Sequence, residues 1–437
     1  MKVLLCAPHY APFFEGGTEA VVRASARALR KLGHDVLVVA GHDQVLERSE
    51  WPGELYQSGV QVDGYPVHFV PRLATPVGDL AAAIDDALLL HRPLALELVI
   101  QLAERFQPDV VHVHHHGFLS SGLVRGLAQE GFPVALSLHD LFVSCPRFFR
   151  TPVGAMAAMG CPPLERASDC TPCLAQDAGG AGPDALAAAL VDRRETFRKE
   201  LESAGLLLAP SSYHGRSIEQ LFGLDTGQVR TMANGLVREL RRTTHAGPRL
   251  ETETLHIFHH GHRAPVKGTL DLVRAMALAA AETGVPMALT LAGAEVEHGF
   301  DDELSAAAGA VELRFTGTFA GPELPTLAQG AHLAAYPSRA PESYGLVVDE
   351  ALAMGLPALV SDGGALPERI APSTPGAPAF GAVLPTGDVA AWAAQIADLA
   401  RDPRLTTRWR AAIPGNMRGP SEAAAELVGL YRATLLP

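Results

Sequence analysis

Apolar positions along the first half of the chain fall in short continuous runs, and longer stretches of helical spacing separate them. KVLLCAP from Lys2, HDVLVVAG from His34, PDVVHVHH from Pro108, PVALSLHD from Pro133 and AGLLLAPS from Ala204 are such runs. They are continuous enough to be strands buried on both faces. Between the first two, Thr18 to Leu32 places Ala, Val and Leu at helical spacing, and Gly33 supplies a stop. Strand alternating with helix predicts a parallel sheet covered by helices. The second half repeats the rhythm with LHIFHHG from Leu255, MALTLAG from Met287, VELRFTG from Val311, AHLAAYPS from Ala331 and PALVSDGG from Pro357. Each ends in Gly, Ser or Pro. The polar, irregular stretch from Met232 to Glu253 reads as the connection between two Rossmann-like domains, assigned here to residues 1–235 and 250–419. Residues 175–190 are rich in Ala and Gly and read as a loop plus a helix start.

Composition narrows the partners. A chain of 437 residues is long enough for two or three domains. A formal net charge of −13 disfavours nucleic acid and anionic lipid. No apolar run approaches the ~20 residues of a transmembrane helix. MKVLLCAPHYAPFF reads as a buried first strand rather than a leader, because its apolar run is short and prolines follow at once. A cytoplasmic protein with reduced cysteines is the expectation.

In open parallel sheets, ligands sit beyond the carboxyl ends of the strands, and two such domains facing one another would make a deep cleft. The residues there are Glu15-Gly16-Gly17, His139-Asp140, His262-Arg263, Gly293, Gly317, Ser338 to Glu342 and Asp362-Gly363-Gly364. The stretch PESYGLVVDEALAMGLPALVSDGGALPE holds two acids eight residues apart, Glu342 and Glu350. Ser343 is placed to cap a helix running to about Met354, with Gly355 as its stop. A helix N-terminus suits a phosphate. Glu350 would then lie about 10 Å from the helix start at 1.5 Å per residue. One acid would reach ahead of the phosphate and the other behind it, which matches a nucleotide sugar: sugar hydroxyls on one side of a diphosphate, ribose hydroxyls on the other.

With this spacing set in YPSRAPESYGLVVDEALAMGLPALVSDGGALPE, the chain resembles the retaining glycosyltransferases of family 4, which have the α/β GT-B fold. EGGTEAVVRASARALRKLGHDVLVVAG resembles the N-terminal Gly-Gly loop, helix and second strand of that family, and APSSYHGRSIEQLFGLDTGQVRTMANGL its interdomain segment. The resemblance spans almost the whole chain. It implies that Glu350 binds the nucleotide ribose and that Glu342 contacts sugar hydroxyls, with backbone N–H groups of Ser343, Tyr344 and Gly345 near sugar and phosphate. It also implies that the last helix, within residues 420–437, packs back on the first domain.

The family supplies an Arg and a Lys to the donor phosphates from the loop after the first strand of the second domain, with no catalytic metal. Here that loop is GHRAPVKGT. Lys267 matches. The Arg position holds His262, and Arg263 follows one residue later; either the loop is shortened and Arg263 takes the role or His262 partly does, and Arg263 is the expected ligand because a guanidinium is always charged and forks onto phosphate. Gly16 and Gly17 would let backbone approach the donor phosphate or the acceptor. The absence of G-x-G-x-x-G after the first strand counts against a nicotinamide oxidoreductase. The family carries a His in the place of His139, close to the transferred sugar, where it would stabilise an oxocarbenium-like transition state or place the acceptor. Asp140 would orient it or cap the next turn. His112, His114 and His116 read as core and cleft-lining histidines.

Cys6 reads as core. Cys145, Cys161, Cys170 and Cys173 include a C-x2-C pair and fit a four-thiolate structural zinc site, with an iron–sulfur cluster as the alternative. Some family members carry a similar cysteine group after an HD and CPR sequence. The expected enzyme moves a sugar from a nucleotide sugar, a UDP-sugar first and a GDP-sugar second, to an acceptor left open, in natural-product or polysaccharide biosynthesis. The alternatives are a GT-B epimerase or phosphorylase, or a non-catalytic, metal-stapled binding module.

Overall fold

The structure is a computed structural model that describes residues 1–46, 59–74, 84, 88–153, 161–175, 181–243, 253–372 and 376–436. Two compact units divide the chain: Met1–Val237 with Gly419–Pro437, and Arg238–Arg418. The boundary between them falls at Val237 and Arg238, within the polar stretch Met232 to Glu253.

In the first unit the strands are β1 (Lys2–Ala7), β2 (Asp35–Leu46), β3 (Val60–Val62), β4 (Tyr65–Leu73), β5 (Val110–Val113), β6 (Val134–Ser137), β7 (Leu206–Ala209) and β8 (Val229–Thr231). They pair in the order β3-β4-β2-β1-β5-β6-β7-β8. All pairs are parallel except β3–β4, a hairpin turning at Asp63 and Gly64. Alternate residues of β1 feed two cores, as a period of two requires. Leu4 and Cys6 join Leu98, Val99 and Phe197 on one face. Val3, Leu5 and Ala7 join Val22, Leu29, Leu427 and Tyr431 on the other. The last two belong to the helix Pro420–Thr434, which packs in this unit beside the helix Gly17–Lys31. At roughly 1.5–3 kcal/mol per large apolar side chain buried, these contacts account for the return of the chain to its first unit.

The second unit contains β9 (Leu255–His260), β10 (Met287–Ala292), β11 (Glu312–Gly317), β12 (Leu333–Tyr336), β13 (Ala358–Ser361) and β14 (Gly381–Leu384). They are all parallel, in the order β11-β10-β9-β12-β13-β14. This is the doubly wound pattern, in which the direction of winding reverses between β9 and β12. In the first unit the reversal falls between β1 and β5. Loops leave in opposite directions at these points, and room for a ligand opens between them.

Candidate functional site

At the β9/β12 reversal, β9 ends in His260 and the chain turns through Gly261 into a short helical turn, Pro265–Lys267. Gly268 has φ of 69°, and a Cβ there would meet the carbonyl oxygen of Pro337 at 2.0 Å. Only glycine lets this loop pass beneath the end of β12. Lys267 is thereby brought to Glu342, and its Nζ donates to Oε1 at 2.7 Å. Ser338 Oγ donates to the same oxygen at 3.0 Å. The backbone of Glu342 bridges to Gly364, where a Cβ would meet the Glu342 nitrogen at 2.3 Å. The glycine pair after β13 thus makes room for the backbone that presents Glu342.

The next helix is Leu346–Ala353, with Gly345 as its N-cap at φ of 95° and no side-chain cap. Ser343 is not the cap, and the helix starts two residues later than its sequence suggests. The reason is tertiary. Tyr344 is buried, its hydroxyl donates to Asp349 Oδ2 at 2.7 Å, and the Arg369 guanidinium lies 4.4 Å over its ring. Burial also pushes the Asp349 carboxyl up. The stop at Gly355, with φ of 81°, follows the helix as expected. Glu350 falls in the second turn, roughly 6 Å from the helix start instead of 10 Å.

Glu350 is only 4% exposed. Its Oε2 accepts from His260 Nε2 at 2.9 Å, and His260 Nδ1 stands 2.8 Å from the Tyr336 hydroxyl. Its other oxygen, Oε1, is 2.8 Å from Arg238 Nε but has no aligned hydrogen-bond donor. A buried carboxylate oxygen without a donor is costly, so this one is an open acceptor at the reversal point.

Arg263 is placed differently from expectation. It is 3% exposed; its Nε and a terminal nitrogen donate to the two oxygens of Asp301 at 2.6 Å each, another terminal nitrogen donates to the Gly293 carbonyl, and the guanidinium lies 5.3 Å over Phe315. A buried arginine committed to a two-point carboxylate pair is not available to a phosphate. Its phosphate role is corrected to a structural one. His262 is exposed in the same loop.

In the first unit, Gly16 is the N-cap and Gly17 the first residue of the helix Gly17–Lys31, and Gly16 N donates to Glu19 Oε2 at 3.0 Å. Both have ordinary backbone angles in the allowed left half of the map, or carry no left-handed φ; what restricts Gly16 is space, since a Cβ would meet Glu19 Oε2 at 2.9 Å. Burial raises the Glu19 carboxyl, which lies beside His9.

Beyond β5 and β6 stands a histidine cluster. His112 Nδ1 meets the Tyr431 hydroxyl at 2.6 Å and its Nε2 meets Ser137 Oγ at 2.8 Å. His114 Nδ1 meets His139 Nε2 at 2.9 Å with their rings stacked. Burial drives the His139 imidazole down to about 4, although Asp140 partly opposes this. Asp140 Oδ1 accepts from Phe142 N at 2.8 Å, capping the turn, and Oδ2 lies 3.6 Å from His115 Nε2. His116 Nε2 meets the buried Glu200 at 3.2 Å.

Cys145, Cys161, Cys170 and Cys173 are unpaired, half-buried and line one cavity of about 30 Å³, together with Arg150, Arg193 and Arg194. Burial pushes the Cys170 thiol up to about 11. Among the described residues, no group of three or more His, Cys, Asp or Glu side chains is placed to hold a metal ion. The four cysteines expected to hold zinc line one cavity without forming such a group among the described residues. Cys6 is fully buried in the core.

Sequence reasoning missed His260, Tyr336, Arg238, Asp301 and Glu19. The strand-end rule could have found the first two, since both are the last residues of neighbouring strands.

The profile described as Glycosyltransferase Family 4 matches residues 15–240, more than half of the chain, and that described as Glycosyl transferases group 1 matches residues 241–414. A GDP-mannose-dependent alpha-mannosyltransferase of Mycolicibacterium smegmatis is 28% identical over 134 residues, which cover 30% of this chain and 31% of that protein. The chain thus matches under a third of that relative's length. The catalytic domain of starch synthase IV from Arabidopsis thaliana, bound to ADP and acarbose, superposes with a TM-score of 0.64 at 14% identity, covering 100% of this chain and 99% of that one. Anabaena Alr3699/HepE in complex with UDP and glucose gives 0.56 at 17%, covering 100% and 95%. At these identities the likeness concerns the fold, which is GT-B. No helix among the described residues is long and apolar enough to cross a membrane.

Proposed function

The chain belongs to glycosyltransferase family 4, and on that premise we propose that it transfers a sugar, with retention, from a nucleoside-diphosphate sugar to an acceptor hydroxyl. The observation that carries this reading is the pair of differently prepared carboxylates at the β9/β12 reversal. Glu350 keeps a buried oxygen without a donor, suited to ribose hydroxyls, while Glu342 lies 2.7 Å from the Lys267 ammonium. In this reading Lys267 exchanges Glu342 for the diphosphate, and Glu342 turns to the sugar hydroxyls. Backbone N–H groups of Ser343, Tyr344 and Gly345 complete the donor site. His139, held neutral at pH 7 by burial, is kept as the catalytic histidine of the first unit, which receives the acceptor. With no nucleophile assigned, the departing phosphate takes the acceptor proton as the acceptor oxygen attacks on the same face.

The donor is a UDP-sugar first and a GDP-sugar second; a solved structure of similar fold holds UDP, and the mannosyltransferase relative is named for GDP-mannose. The setting is natural-product or polysaccharide biosynthesis in the cytoplasm, where the unpaired thiols would persist. The four cavity cysteines take a structural zinc ion, in keeping with three arginines whose charge would offset a tetrathiolate. Elemental analysis of protein purified without added metal should then give about one zinc per chain; no metal, with four titratable thiols, would reject the site.

A thermal-shift screen across UDP-, GDP-, ADP- and dTDP-sugars tests the main reading, since a ligand bound only by the folded state stabilises it by mass action. One class should raise the melting temperature, and Glu350→Ala should abolish the rise. Stabilisation by none of them would overturn the reading. Conversion of a donor without any acceptor would point to an epimerase instead.

A further inference from the structure

We infer that His260 and Tyr336 are positioning residues that turn the Glu350 carboxylate so that one oxygen stays open to the nucleotide ribose. This role rests on the donor-site reading above and adds two side chains to it. The sheet itself supplies the alignment. β9 and β12 are parallel neighbours in which Ala334 stands opposite Phe258, so two residues further on Tyr336 stands opposite His260. Both are final residues of their strands, where side chains meet the ligand end of the sheet. Tyr336, His260 and Glu350 are 3%, 2% and 4% exposed and form one hydrogen-bonded row, with separations of 2.8 and 2.9 Å.

The direction of that row follows from donor chemistry. A carboxylate only accepts, so His260 Nε2 must carry the hydrogen that faces Glu350. In a neutral ring Nδ1 is then an acceptor, and the Tyr336 hydroxyl donates to it. The imidazole is thereby fixed in tautomer and orientation, and it holds Oε2. A glutamate carboxyl otherwise rotates broadly about its last torsion. Without the His260 contact the carboxyl would be free to turn beside Arg238, whose Nε is 2.8 Å from Oε1 and whose side chain is about one-third exposed. Arg238 neutralises the empty site but is not aligned for a hydrogen bond, so a ribose hydroxyl that donates to Oε1 gains a contact the guanidinium does not make.

The test uses calorimetric affinity for UDP and GDP, each compared with its 2′,3′-dideoxy form, on the full chain. His260→Phe should weaken the normal nucleotide about tenfold, the worth of one charge-assisted hydrogen bond, and leave the dideoxy form unchanged. His260→Gln keeps an amide donor for Glu350 and should retain most of the affinity. Tyr336→Phe, which removes only the hydroxyl, should fall between them and serves if His260→Phe does not fold. Equal losses for both nucleotide forms would make His260 merely structural, and no loss would remove it from the site; either overturns the inference. Glu350→Gln separates the two levels. If it still prefers the ribose form as strongly as wild type does, or if wild type binds neither nucleotide, the donor-site reading itself falls.

Discussion

Beyond β9 and β12 the side chains are charged and already paired: Lys267 with Glu342, and Glu350 with His260 and Arg238. In and beyond β5 and β6 they are imidazoles: His112 meets the Tyr431 hydroxyl, its ring lies tilted 4.0 Å from that of His114, and His114 is hydrogen-bonded to His139. Both groups occupy the same topological place, the carboxyl end of a parallel sheet near its reversal. Topology therefore supplies the position, and the loops supply the chemistry. Ion pairs survive partial burial because each charge has a partner, and a diphosphate has to displace one of them. Buried imidazoles survive by remaining neutral, which suits them to passing or steering a proton at pH 7.

Four perturbations sharpen this contrast. The largest effect is expected from His139→Ala. On the proposed role it lowers kcat by about 10²-fold or more and leaves nucleotide affinity nearly intact, since only transition-state contacts are lost. Normal turnover in a stably folded variant would return the histidine cluster to the core. Lys267→Ala should weaken nucleoside diphosphate by roughly ten- to a hundredfold, the range for a hydrogen bond to a charged group, and leave the nucleoside unchanged. Equal losses for both ligands would make the ion pair with Glu342 structural. Arg263→Ala should do the reverse. It leaves Asp301 unpaired, so denaturant unfolding should show a loss of about 1–3 kcal/mol while nucleotide affinity per folded molecule holds. A selective loss of diphosphate binding would restore Arg263 to the phosphate site.

The smallest effect is a pH dependence read on the histidine side. His139 titrates near 4 in the folded chain against about 6.5 when unfolded. Between those values the unfolded chain binds more protons than the folded one, so stability falls as pH falls from about 6.5 toward 4. His139→Gln should flatten that slope in pH-dependent thermal melts. An unchanged slope would assign the acid sensitivity to other buried histidines, such as His259, which burial holds at about 4, and His112, at about 3.

The alternation of apolar runs determined the two parallel sheets, because a strand buried on both faces leaves a continuous hydrophobic signature. Most central strands carry it. Interior β4 and edge β3 instead flank an Asp63-Gly64 turn that the sequence displays, and the edge strands β8 and β14 are three and four residues long with exposed positions. Glu342, Glu350 and Lys267 were legible because motif spacing and strand ends are both one-dimensional. What only the tertiary structure decided is which charges are already spent. Arg263 and Lys267 are equivalent cations on one loop in the sequence, yet Asp301, from a distant helix, takes the first and leaves the second at the ligand end. Likewise nothing local to LHIFHHG says that His260 faces Glu350, ninety residues on, since that meeting depends on the register of β9 against β12 and on the helix that follows β12. Pairing across such distances is set by packing, and packing is not written in the local spacing of residues.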